Sequence, residues 1–348
     1  MAMRSVVSLG ACAALIGFIA SVNTPLRGQT RATPPPLVLT ATAGQPVDYK
    51  APRTPWGDPD LQGTWPSTDM VGVPIERPVE FGTRATLSDT EFNQRQAQAA
   101  RQAQADDEEI VVPRAGGGGD GTGPPSHWGE RGEAQRQNSL IVDPADGRMP
   151  KMTPYGAERM AARAQKSSTG DGPFNSAADL DYYDRCISRG VVGSMLPVVY
   201  NNGTEIVQAP GYVAIRYEMI HDTRVIPLDH RPAPAAAIRE YMGEARGRWE
   251  GDTLVVESTN FNGTIGVTGN GRLRPASDAL RVTERFTRTG PDTIRYEATV
   301  IDPKTWTAPW TVSFPLKRDD GYGFYEYACH EGNNAMRNIL SGARAAEK

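Results

Sequence analysis

The sequence predicts a mainly β protein, an antiparallel meander in the C-terminal half that closes into a small barrel, preceded by an extended Pro-rich arm and two or so helices. Three observations predict it. With 36 Gly and 28 Pro in 348 residues, composition favours short strands and turns over long helices. From about Glu205 onward, apolar and polar residues alternate in short runs separated by turn signals. Before that point the chain is broken repeatedly by Pro and Gly clusters. The chain therefore divides into a signal peptide at 1–29, a Pro/Gly-rich wrapping arm with helices at 30–180, and a β-barrel domain at 181–348.

The first segment reads as an address. Arg4 opens a positive n-region, Val6 to Val22 is apolar apart from Ser8 and Ser21, and Pro25 with Arg27 ends the run. The run is too short and too interrupted by small residues for a transmembrane anchor. Leu9-Gly10-Ala11-Cys12 resembles a lipoprotein cleavage box, but the apolar run continues past it to Ala20, so lipidation is not favoured. The expected location is periplasmic or secreted. Removing 1–29 takes away Arg4 and Arg27 and no acid, lowering the net charge from −4 to −6. Such a mildly acidic balance excludes a nucleic-acid footprint, which needs clustered Lys and Arg.

Along the arm, Pro34-Pro35-Pro36, Pro52, Pro55 and Pro59 mark extended chain. Trp56 and Trp65 flank a turn-rich decapeptide; packing of both rings onto the body is the favoured reading, and an aromatic platform for a sugar the sharper one. Ser88 and Glu91 form a capping box for a polar surface helix to about Glu109. Gly116 to Pro125 is a loop, and without the Lys of a GxxxxGK motif it binds no nucleotide phosphate. Ser139 to Val142 reads as a strand running into a turn at Asp143 to Gly147, and Thr153-Pro154 starts a second helix that ends before Ser167.

In the C-terminal half, Glu205 to Met219 is β-rich around the Pro210-Gly211 turn, and Thr223 to Leu228 and Thr253 to Ser258 follow. Val282, Glu284 and Phe286 alternate with polar residues. After the turn at Arg288 to Asp292, Ile294, Tyr296, Ala298 and Val300 share one face. Val312, Phe314 and Leu316 precede a last strand expected from about Gly323 to Cys329. One face of such a meander is buried and one wet, and closure removes its exposed edges. The plan is lipocalin-like in outline, with an interior that is either filled or holds one ligand, although no lipocalin signature motif is present.

Beyond Cys12 the cysteines are Cys186 and Cys329, 143 residues apart, and in an oxidising compartment the simplest reading is a disulfide. A catalytic thiol at Cys329, beside His330, is the lesser alternative.

Five stretches carry a resemblance: Thr54 to Gly63 (TPWGDPDLQG), Arg185 to Gly190 (RCISRG), Tyr217 to Asp222 (YEMIHD), Gly247 to Asp252 (GRWEGD) and Tyr325 to Asn333 (YEYACHEGN). Together they resemble a family of exported proteins of soil bacteria such as Acidobacteria. The resemblance spans nearly all of the chain after the signal peptide. It implies export and a shared fold, and it assigns no catalytic residue.

Chemistry must come from the residues themselves. The histidines are His127, His221, His230 and His330, and two share a context: Glu218 and Asp222 surround His221, and Glu331 follows His330. If both strand ends reach one barrel mouth, imidazoles and carboxylates converge there as general acid and base. The same groups suit a divalent metal, but no HExxH spacing occurs, so no metal ligand is assigned and the cofactor is left open. Glu284 points inward by strict alternation. It is either a perturbed catalytic carboxylate or half of an ion pair with an Arg such as Arg185 or Arg216. Arg185, Tyr217 and Tyr325 are candidate substrate-binding residues, Arg185 as an anchor for an anionic group.

Two classes of function follow. One is an exported acid/base enzyme, a hydrolase, lyase or isomerase acting on a small or sugar-like molecule. The other is a non-catalytic binding protein of the cell envelope. The sequence leaves the oligomeric state open.

Overall fold

Alternation in 281–301 builds the central hairpin of the molecule. The computed structural model describes residues 49–107, 128–165, 174–180, 182–229, 231–232, 234–268 and 274–347. The segment expected to be a signal peptide, the Pro34 cluster, the Gly116 stretch, His127 and His230 lie outside the described residues.

The described strands, in chain order, are β1 (Gly63–Thr64), β2 (Ile141–Asp143), β3 (Thr204–Ala209), β4 (Tyr212–Tyr217), β5 (Thr223–Pro227), β6 (Glu244–Glu250), β7 (Thr253–Thr259), β8 (Arg281–Gly290), β9 (Thr293–Ile301) and β10 (Trp310–Lys317). All ladders are antiparallel, and they form two sheets, ordered β1-β3-β4-β5 and β2-β10-β9-β8-β7-β6. Each sheet is a run of hairpins closed on its outer edge by one short strand from the arm. Those two- and three-residue strands shield edges that would otherwise template aggregation.

The meander expected from the sequence is thus split. No ladder joins β5 to β6. They meet through side chains, with Ile226 and Leu228 crowding Gly247, where a Cβ would lie 2.9 and 2.6 Å from them. Gly247 is small because two edges approach there without backbone pairing. At the opposite seam, just past β10, Asp319 N–H donates to Thr64 O at 3.0 Å.

Register explains the core. Phe286 on β8 faces Tyr296 on β9, which faces Phe314 on β10, and their rings stack in tilted and edge-on contacts at 5.1 and 5.3 Å. Opposite them lie Val213, Ile215 and Ile226 of the smaller sheet, all buried. Side chains fill this interior. Trp65 is buried in the same core, whereas Trp56 is exposed and donates to Asp58 at 3.0 Å, so one of the two arm tryptophans packs as expected.

Helices follow their caps. In α1 (Asp89–Asp107), Glu91 accepts from Ser88 N–H at 2.8 Å and Ser88 Oγ accepts from Glu91 N–H at 3.4 Å, the reciprocal box read from sequence. Thr153 and Pro154 start α2 (Pro154–Gln165). Two helices were not foreseen: α3 (Val191–Met195) and α4 (Asn334–Ala346). Met336, Ile339, Leu340 and Ala343 of α4 are its half-buried positions, at the helical spacing of an amphipathic face.

The strand expected at Gly323 to Cys329 is absent. This segment is extended without a ladder because its anchors are side chains: Tyr325 N–H donates to the Glu218 carboxylate at 3.1 Å, and Cys329 is bonded to Cys186. No helix among the described residues is long and apolar enough to cross a membrane.

Candidate functional site at the disulfide face

The expected disulfide is present. Cys186 and Cys329 are bonded, with their Cα atoms 5.7 Å apart, and this ties the 182–190 segment to the ladderless C-terminal segment. Asn333 Nδ2 reinforces the tie by donating to Asp184 O at 2.9 Å. Around it the backbone adopts conformations that side chains rarely take: φ is +54° at Cys186, +65° at Ile220 and +49° at His221. Each such residue costs about 1 kcal/mol or more and persists only where the surroundings impose it. Here the imposing contacts are the buried Ile220 side chain and two backbone bonds, Tyr217 N–H to Asp222 O and His221 N–H to Glu218 O. Together they turn His221 outward from the end of β4.

The turn brings the two histidines together. Their ring centroids are 6.5 Å apart at 52°, and both side chains are exposed. His221 Nδ1 lies 2.8 Å from Tyr327 O. A carbonyl only accepts, so Nδ1 carries the proton and, in the neutral ring, Nε2 is left as the acceptor. Asp222 is half-buried beside His221, and its Oδ2 is enclosed without a hydrogen-bond partner among the described residues. Burial holds this carboxyl above its ordinary 3.8, against the weaker pull of a Ser188 hydrogen bond and of the His221 and Arg224 charges. Glu331 is exposed next to His330.

Glu218 is a frame member by its contacts. It is 1 % exposed and accepts four hydrogen bonds: from Asn201 Nδ2 at 2.7 Å, Tyr325 N–H at 3.1 Å, Gly203 N–H at 3.2 Å and Tyr322 hydroxyl at 2.6 Å. The Tyr322 hydroxyl also reaches Glu130 at 2.8 Å, bridging two carboxylates, and burial and both acids push its pKa up. Gly203 must be glycine for this packing, because a Cβ there would stand 2.7 Å from both Glu218 Oε2 and Tyr322 Cε1.

Beside the histidines lies a groove of about 920 Å³, within the size range that takes drug-sized ligands. Its aromatic walls are Trp128, Tyr183, Tyr200, Tyr325 and Tyr327, and the residues on either side of His330, Cys329 and Glu331, also line it. Three hydroxyls form a chain, Tyr200 to Tyr183 at 3.2 Å and Tyr183 to Tyr327 at 2.7 Å. Burial pushes Tyr327 up to about 12, and Tyr183 further. The Arg189 guanidinium lies within electrostatic reach of these phenols, 2 % exposed, with Nε and Nη2 lacking partners among the described residues; burial lowers its pKa to about 10.

Of the candidates read from sequence, Glu331 and Tyr325 line this groove, His221 and His330 meet each other outside its lining, and Asp222 lines a separate pocket with Ser188, Arg224 and Glu240. Arg185 is close to the disulfide, with its guanidinium 5.5 Å from the Tyr182 ring centre. Glu284 and Tyr217 are elsewhere. Glu284 is 0 % exposed between the sheets, and its partner is Arg224 on β5, which donates to both carboxylate oxygens at 3.1 and 2.6 Å. The pairing with Arg185 or Arg216 does not form; Arg216 pairs with Glu205 at 3.1 Å and lies over the Phe324 ring. Tyr217, Ser258 and Tyr296 complete the buried cluster. Among the described residues no group of three or more His, Cys, Asp or Glu is arranged to hold a metal ion.

Trp128, Tyr183, Tyr200 and Tyr327 were missed as a wall. A signal was available: four of the 12 tyrosines, Tyr182, Tyr183, Tyr325 and Tyr327, fall in the two short segments that the disulfide joins.

Fold and site thus define a two-sheet antiparallel β protein with a disulfide-pinned, aromatic groove beside a histidine pair. No protein-family model matches the chain, and no curated protein matches it significantly.

Proposed function

We propose that the protein is an exported acid/base enzyme, periplasmic or secreted, whose aromatic groove holds a small sugar-like molecule while His221 and His330 move its protons. In this reading the two sheets act as a barrel-like support with the groove at its mouth. The observation that carries the reading is the histidine pair, with the His221 tautomer fixed by Tyr327 O. His221 Nε2 is the base, and His330 returns a proton to the leaving or rearranging oxygen. Hydrolysis, elimination and isomerisation all need this division of labour, which contributes roughly 10²–10⁴-fold to rate. Tyr325, beside the histidines, stacks on the ligand, while Glu218, Tyr217 and Glu284 hold the frame. Arg185 and Glu331 set the local charge.

The experiment is an NMR screen of the full chain against neutral, acidic and amino oligosaccharides, repeated with His221→Ala and His330→Ala. The expected result is turnover with a bell-shaped pH profile, falling about 10²-fold in either variant while binding persists. Binding without turnover of any substrate transfers the assignment to the second reading, a non-catalytic binding protein. That reading is favoured by one observation of its own, that the aromatic walls need no histidine to hold a ring.

A further inference from the structure

We infer that the groove selects a ligand carrying an organic ammonium group, and that within the sugar-like class its ligand is an amino sugar. This rests on the groove being the ligand site proposed above. Three features of the groove point the same way. First, Trp128 and Tyr200 meet edge to face, centroids 6.1 Å apart at 71°, so two walls of an aromatic corner face the same space. Second, Trp128 and Tyr325 leave 54 % and 73 % of their surfaces in solvent, which offers ring faces to a ligand rather than to the core. Third, the ionisable side chains lining the groove, beyond the phenols, are carboxylates, Glu130, Asp184, Glu326 and Glu331, and among the described residues no Lys or Arg lines it.

Aromatic faces attract cations through the ring quadrupole, and carboxylates at the rim add their own field. A neutral sugar uses the rings but gains nothing from the charges. An anionic sugar is repelled by four acids. Arg189 does not reverse this sign. It is buried, it is not part of the lining, and its electrostatic partners are the Tyr183, Tyr200 and Tyr327 phenols rather than the exposed rim. Glu130 already accepts from Asn201 and Asn202, so it supplies charge, while the exposed Glu326 and Glu331 remain placed to meet an ammonium group directly.

The test is calorimetry on the full chain with two trisaccharides of one backbone that differ at the amine, the glucosamine trimer, which carries ammonium groups, and its fully N-acetylated form, which carries neutral amides. We expect the charged trimer to bind about tenfold more tightly. That advantage should shrink several-fold between about 50 mM and about 300 mM salt. Trp128→Ala and Glu331→Gln should each reduce the preference, with Trp128→Phe retaining part of it and thermal melts confirming that each variant is folded. Equal affinity for the two trimers overturns the ammonium assignment and leaves the sugar-site reading standing. Binding of neither trimer also overturns it, and the His-dependent turnover screen then judges the proposed function separately.

Discussion

Two clusters of ionisable side chains begin two residues apart, at Asp222 and at Arg224, and they are built on opposite principles. The interior cluster is nearly closed, with Arg224 Nε its one buried atom that lacks a partner among the described residues. Arg224 gives two hydrogen bonds to Glu284 and one each to Tyr217 and Ser258, and Tyr296 gives one more to Glu284, with every member of the cluster buried. The face cluster is open: His221 spends one ring nitrogen on Tyr327 O and keeps the other, His330 is exposed, and Asp222 has an oxygen without a partner among the described residues. The difference separates polar groups spent on joining the two sheets from polar groups left open on an exposed face.

The sharpest way to break this contrast is to unpair the interior. Glu284→Gln leaves the Arg224 guanidinium uncompensated, and urea denaturation should show a loss of about 3–5 kcal/mol. Replacing both partners, Arg224→Met with Glu284→Leu, should recover most of it; a single variant as stable as the parent would mean the pair does not join the sheets. Next in size, Cys186→Ser with Cys329→Ser should cost about 2–4 kcal/mol and abolish turnover together, because the same bond closes a long loop and gathers the face. Tyr322→Phe should cost about 1–3 kcal/mol, since the single phenolic proton that lies between the Glu130 and Glu218 carboxylates is lost.

A pH series sharpens the open side. The folded-state pKa of Asp222 is raised, so its carboxyl favours folding while protonated, and stability is lost as pH rises from its ordinary 3.8 through the raised value. Asp222→Asn should flatten that part of the melting-temperature profile and leave the neutral-pH protein no less stable. An unchanged profile would remove Asp222 from the buried edge of the site. The smallest effect belongs to His221→Ala and His330→Ala, each expected to change stability by no more than about 0.5 kcal/mol while turnover collapses.

Much of the larger sheet was legible because Val282 to Phe286 and Ile294 to Val300 alternate without interruption, and period two has one structural meaning. The disulfide was legible from an even cysteine pair, and the histidine pair from its repeated surroundings. What could not be read depends on distance across the fold. Glu284 pointed inward as alternation required, but the choice of Arg224 over Arg185 or Arg216 is made by β5 facing β8, which no local pattern encodes. The split into two sheets turns on Gly247 meeting Ile226 and Leu228, a contact between edges rather than a ladder. Gly323 to Cys329 has strand-like composition yet pairs with nothing, because a buried carboxylate and a disulfide take the place of a neighbour.

Tyr327 belongs to both halves of the face at once. Its carbonyl fixes the proton on His221, and its hydroxyl ends the chain through Tyr183 to Tyr200 in the groove wall. The phenol chain of the groove wall and the hydrogen bond that holds the His221 ring are thus joined through one residue, with its side chain serving the first and its backbone the second.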